Sequence, residues 1–89
     1  MSRLLLKGAE AAMGTSSANG SNFSSAKLVR VVNTDSSAHL VTLTETVNGS
    51  TIGSFTLPAG EAVELEKEPL NGIFAANAAV KGAAIGYTN

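Results

Sequence analysis

Four glutamates within eight residues, Glu61, Glu64, Glu66 and Glu68, form the densest set of titratable side chains in this 89-residue sequence. Carboxylates so close together suit divalent-cation binding, paired general acid/base work, or solvation of one strand face. A calcium loop needs Asp and Gly set around a tight turn, and the run EAVELEKE contains neither. A glycosidase pair needs carboxylates facing each other across a groove, roughly 5 to 9.5 Å apart. Such a groove also wants aromatic platforms, and the sequence has no Trp and one Tyr. Alternation places Ala62, Glu64 and Glu66 on one face and Val63, Leu65 and Lys67 on the other. This is the pattern of an edge strand with a solvated outer face.

The second candidate is the only histidine, His39, four residues after the only aspartate, Asp35, with Ser36 and Ser37 between them. A Ser/His/Asp triad needs three groups converging from separate parts of a scaffold. These lie along one turn and the strand leaving it, so His39 reads as a strand residue at a surface or an interface. The sequence has no Walker or dinucleotide glycine pattern. With no cysteine it has neither a disulfide framework nor a Cys/His zinc set. Sequons at Asn19, Asn22 and Asn48 match the glycosylation pattern, as Ser- and Asn-rich sequence does by chance. The reading is a non-enzyme without metal or cofactor.

The elements that carry these residues are short and β-like. "KLVRVVN" (27–33) and "AHLVTLTET" (38–46) are strands, the second with Val41 and Leu43 on one face and Leu40, Thr42 and Thr44 on the other. Asn48-Gly49 joins the second to "TIGSFTL" (51–57), a pairing that predicts a hairpin with a two-residue type I′ turn. "PAG" (58–60) predicts another tight turn. "IFAANAAV" is balanced between strand and helical turn, and its β neighbours favour the extended form. Gly82 and Gly86 in the last segment predict a bulge or a close approach from a neighbour. Six or seven short strands with regularly spaced turns imply a small antiparallel β-sandwich or barrel. Its expected core includes Val29, Val31, Leu43, Phe55, Val63, Leu65 and Ile85.

A chain of this length buries only roughly 60 to 65% of its unfolded surface. Much of its 44% apolar content is alanine, so a core this thin is expected to be completed against another chain. The formal charge of −1 and the scattered cations give no basic footprint, which argues against nucleic acid. The apolar run Leu4, Leu5 and Leu6 is far too short for a signal or membrane span. The expectation is a soluble, unprocessed chain.

The segment 1–26 stands apart from the β domain at 27–89. It opens with Arg3, Leu4, Leu5, Leu6 and Lys7, which read as a strand, and continues into a Ser-, Asn- and Gly-rich stretch (14–26) that reads as a flexible or loosely laid-down linker. Residues 3–7 are therefore the candidate interaction arm. It either adds to another subunit's sheet edge or forms an edge strand of its own sheet.

The blocks "AKLVRVVNTDSSAHLVTLTET", "IGSFTLPAGEAVELEKEP" and "IFAANAAVKGAAIGYTN" together resemble small virion proteins of marine tailed bacteriophages, including cyanophages. Those proteins share an LVRVVN strand, a Pro/Ala-Gly turn, an EKxP step and a C-terminal A-V-K…G-(aromatic)-T-N end. The resemblance covers residues 26–89, and the N-terminal section departs from it in detail. It implies a virion structural protein that decorates or cements a capsid, made in the host cytoplasm. The implied partners are the major capsid protein or another virion protein, and further copies of the chain, with a trimer favoured. The alternative is a tail, fibre or knob component that binds a host receptor.

Overall fold

The computed structural model describes residues 3–88. Eight strands follow in order: β1 (Arg3–Leu6), β2 (Ala11–Ala12), β3 (Leu28–Asn33), β4 (His39–Thr44), β5 (Thr51–Leu57), β6 (Ala62–Glu66), β7 (Gly72–Ala75) and β8 (Val80–Thr88). They form two antiparallel sheets, ordered β1-β8-β3-β6, with β2 also on β8, and β5-β4-β7. The all-β sandwich class is the one expected, with eight strands where six or seven were read. The two-residue strand β2 carries no alternating hydrophobic signature, because Ala11 and Ala12 are exposed and joined to β8 through the backbone.

Only β4 and β5 are joined as a hairpin within one sheet. The short connections 34–38, 58–61, 67–71 and 76–79 each carry the chain from one sheet to the other. These links set β4, β5 and β7 over β3, β6 and β8, and leave β1 with no strand opposite it. Between the layers lie Met13, Val29, Val31, Val41, Leu57, Ile73, Ala75 and Val80, with Leu43, Phe55, Val63 and Leu65 packed against them. Ile85 is buried as expected but on the other side of its sheet. Val29 pairs with Ala84 and Leu6 with Ile85, so the register turns Ile85 away from the two valines.

The β4–β5 hairpin exists, but its turn is longer than two residues. Glu45 N–H donates to Ser50 O at 2.8 Å and Gly49 N–H to Thr46 O at 2.8 Å. Asn48 has φ of 64°, and Gly49 does not share the positive φ that a type I′ turn requires. Contacts elsewhere decide this: Asn48 N–H donates to Ser17 O at 2.8 Å and Ser17 Oγ to Gly49 O at 3.1 Å. At 58–61 the turn closes from Glu61 N–H to Pro58 O at 3.2 Å, so Pro58 is its first residue and Gly60, at φ 74°, supplies the left-handed position.

The polar stretch 14–26 is laid down on the sandwich. Ser21 and Ile73 exchange two backbone hydrogen bonds at 2.8 and 3.0 Å, and Ala75 N–H donates to Gly14 O at 3.2 Å. Met13, just before it, is a core residue. Composition argued for looseness because it counts side chains, whereas this stretch is held by its backbone along the open side of β7.

Candidate interaction edges

Arg3, Leu4, Leu5 and Leu6 make up β1, and Lys7 follows directly, donating its N–H to Ala84 O at 2.9 Å. β1 pairs antiparallel with β8 of the same chain, Arg3 with Thr88, Leu4 with Tyr87, Leu5 with Gly86 and Leu6 with Ile85. Of the two placements open from sequence, the structure puts the segment on its own sheet, as an edge. The register sends Leu4 and Leu6 to the outer face beside Tyr87, and Leu5 to the inner face.

Leu4, Leu5 and Leu6 are 48%, 43% and 71% exposed. Leu5 is open because no strand of the second sheet lies beneath β1. A hydrophobic strand bare on both faces and along its outer edge presents unpaired backbone donors and acceptors to any incoming strand. Covering what remains exposed of each leucine is worth about 1–2 kcal/mol, since full burial of a wholly exposed one is worth about 1.5–3.

The other edges differ from β1 in their protection. β6 is an edge strand as expected, with Val63 and Leu65 half-buried and Ala62, Glu64 and Glu66 outward. The opening carboxylates are thus a solvated face: Glu64 sits opposite Arg30 in the β3 register and accepts from the Tyr87 hydroxyl. Such charges deter strand addition. β7 is shielded by Gly14 and Ser21. β5 is open, and its seven residues carry no charge, with Ile52 exposed. Sequence reasoning missed β5 as an open edge. An uncharged seven-residue strand was the available signal, and only sheet order could show that it lies at an end.

His39 and Asp35 do meet, Nε2 to Oδ2 at 2.6 Å, the one contact of salt-bridge length among the described residues. The imidazole, together with the Ser36 N–H at 2.8 Å, holds the Asp35 carboxyl below its ordinary value. Neither Ser36 nor Ser37 hydrogen-bonds His39 among the described residues; Ser37 instead gives its carbonyl to Asn33 Nδ2 at 2.8 Å. The pair therefore braces the 34–38 connection. Among the described residues no group of three His, Cys, Asp or Glu side chains is placed to hold a metal ion, and no helix is long and apolar enough to cross a membrane.

Lys67 was expected on the inner face of β6, and it is 5% exposed just beyond that strand. Its Nζ donates to the carbonyls of Glu68 and Pro69, both at 3.1 Å, and burial pushes its pKa down. Asn71 completes this turn, accepting from Glu68 N–H at 2.9 Å and donating to Glu45 O at 3.0 Å. This ammonium is absorbed by turn structure.

No protein family model, curated protein or solved structure matches the chain.

Proposed function

We propose that this protein is a non-enzymatic structural component of a phage particle that works by protein–protein contact, decorating or cementing the capsid. The observation that carries the reading is the bare leucine edge β1, with Leu4, Leu5 and Leu6 exposed on both faces of one strand. The uncharged β5 edge and the resemblance of residues 26–89 to small virion proteins of marine tailed phages support it. Its partners are the major capsid protein or another virion protein, and further copies of the same chain in a closed oligomer such as a trimer. Strand addition at an edge gives affinity through main-chain hydrogen bonds and specificity through alternate side chains.

The test is the mass of the purified full chain by light scattering over a concentration series, with and without empty tailed-phage capsids. A closed oligomer that co-sediments with capsids, and loses both properties when residues 1–7 are deleted, supports the reading. A stable monomer that ignores capsids overturns it and favours a tail or receptor-binding component.

A further inference from the structure

A cavity of about 490 Å³ opens at the β1 end of the sandwich, where the second sheet stops short. Its volume falls within the range of roughly 300–1,000 Å³ typical of small-ligand sites. Two glycines on the inner face of β8 make room for its walls. A Cβ on Gly82 would meet the Phe23 ring at 2.7 Å, and one on Gly86 would meet Lys7 Cε at 3.1 Å. Phe23 and the Lys7 stem can therefore lie against the strand, with Ala84 between them.

The opposite wall is the segment Phe23, Ser24 and Ser25, followed by Ala26 and Lys27. Phe23, Ser24 and Ser25 have φ of 52°, 59° and 60°, and Ala26 N–H closes onto Asn22 O at 3.2 Å. This is one turn of left-handed helix built without glycine, which costs roughly 1–2 kcal/mol per residue. Such strain persists where surrounding structure holds it, and it clusters at ligand clamps.

The lining carries two cations, Lys7 and Lys27, and no acidic residue. Neither lysine forms an ion pair among the described residues. The Ser24 and Ser25 side chains are exposed, and their hydroxyls make no hydrogen bond among the described residues. In a chain of net charge −1, this puts two unneutralised lysines over a partly apolar floor of Phe23 and Ala84. Such a cleft concentrates anions, and its floor favours one with an apolar body beside the charge.

We infer that this cavity is a carboxylate-binding pocket that accepts an acidic side chain and its apolar neighbour from a peptide segment. Lys7 and Lys27 supply the charge, the two serines supply donors, and Phe23 and Ala84 receive the apolar side chain. The assignment stands whether or not the protein works in a virion.

The probe is acetyl-Leu-Glu-amide, titrated into the ¹⁵N-labelled full chain, with acetyl-Leu-Gln-amide and inorganic sulfate as parallel arms. Saturable shifts should centre on residues 7, 23–28 and 84–86, with a dissociation constant on the order of 1 mM. The Gln peptide should bind at least about tenfold more weakly, as should the Glu peptide to Lys7→Gln/Lys27→Gln. The single Lys27→Gln variant serves if the double variant does not fold, since Lys27 is exposed. Equal binding of the Glu and Gln peptides would overturn the assignment. So would shifts spread to Arg30 and Lys81, sulfate competing as well as the peptide, or no saturable shift.

Discussion

The side-chain amide of Asn33 donates to the carbonyl of Leu57 at 3.0 Å, joining the end of β3 in one sheet to the end of β5 in the other. The same fully buried amide donates to Ser37 O at 2.8 Å and accepts from Asp35 N–H at 3.0 Å. One residue thus satisfies three backbone groups at the place where two inter-sheet connections leave. Asn33→Ala strands those groups, and an unsatisfied buried group costs about 1–3 kcal/mol. Allowing for partial hydration, the variant should lose about 2–4 kcal/mol. Urea denaturation should show a lower midpoint at unchanged slope.

Charge placed on the β1 edge separates assembly from folding. Leu4 and Leu6 point outward from an edge strand, so Leu4→Lys/Leu6→Lys should change stability by no more than about 0.5 kcal/mol per site. If β1 accepts a partner strand, the same variant should lose oligomer mass and capsid co-sedimentation, because buried lysines beside a new strand are unfavourable. Unchanged assembly with normal folding would move the contact to β5, where Ile52→Lys is the corresponding probe.

How far the fold was legible in the sequence follows from what each residue's neighbours are. The faces of β6 were legible, since half-buried Val63 and Leu65 alternate with outward Glu64 and Glu66. The Asn48-Gly49 hairpin was legible as a hairpin. Its turn was not, because Ser17, thirty-two positions from Gly49, binds the loop and selects its shape. Met13 was a lone large side chain beside Gly14 with no period to place it. The candidate pocket was hidden for two reasons. A left-handed turn through Phe23, Ser24 and Ser25 violates local preference, and Lys7 and Lys27 come to line one cavity only once β1 pairs with β8. The leucine edge itself was legible as apolar; which strand it joined depended on sheet order.

Acid should expose the contribution of the Asp35–His39 pair. Hydrogen bonds from His39 and Ser36 lower the native Asp35 pKa beneath its model-peptide value of 3.8. In that range the unfolded chain binds more protons than the native one, so stability rises with pH. The contribution is complete above the unfolded value and fades as pH falls through the native one. Asp35→Asn removes it, so the stability profiles of the two proteins should lie apart above the unfolded value and converge as pH falls through the lowered native one.

Alkali should act through Lys67 with the same sign by a different cause. Burial lowers its native pKa below 10.5, so the unfolded state again holds the extra proton. Stability should climb with pH from the lowered native value up to 10.5. Lys67→Met should flatten this limb, read from urea midpoints across the alkaline range. A limb that persists unchanged in the variant would place the titration elsewhere.

Gly82 and Phe23 give the last prediction, because they form a packed pair that neither residue's own segment requires. A Cβ at position 82 would sit 2.7 Å from Phe23 Cζ, 3.0 Å from its Cε1 and 3.2 Å from Val29 Cγ1. The valine is fixed in the core, so the ring must move, and the strained turn that carries it must move too. Gly82→Ala should therefore cost about 1–3 kcal/mol. Phe23→Leu alone should also destabilise, by loss of packing, at about 1 kcal/mol or more. Together the two should cost less than their sum, since the shortened side chain vacates the space the new methyl needs. A double-mutant cycle by urea denaturation reads this coupling. Strict additivity would mean that the ring does not rest on Gly82, and with it the pocket wall built on that contact would be lost.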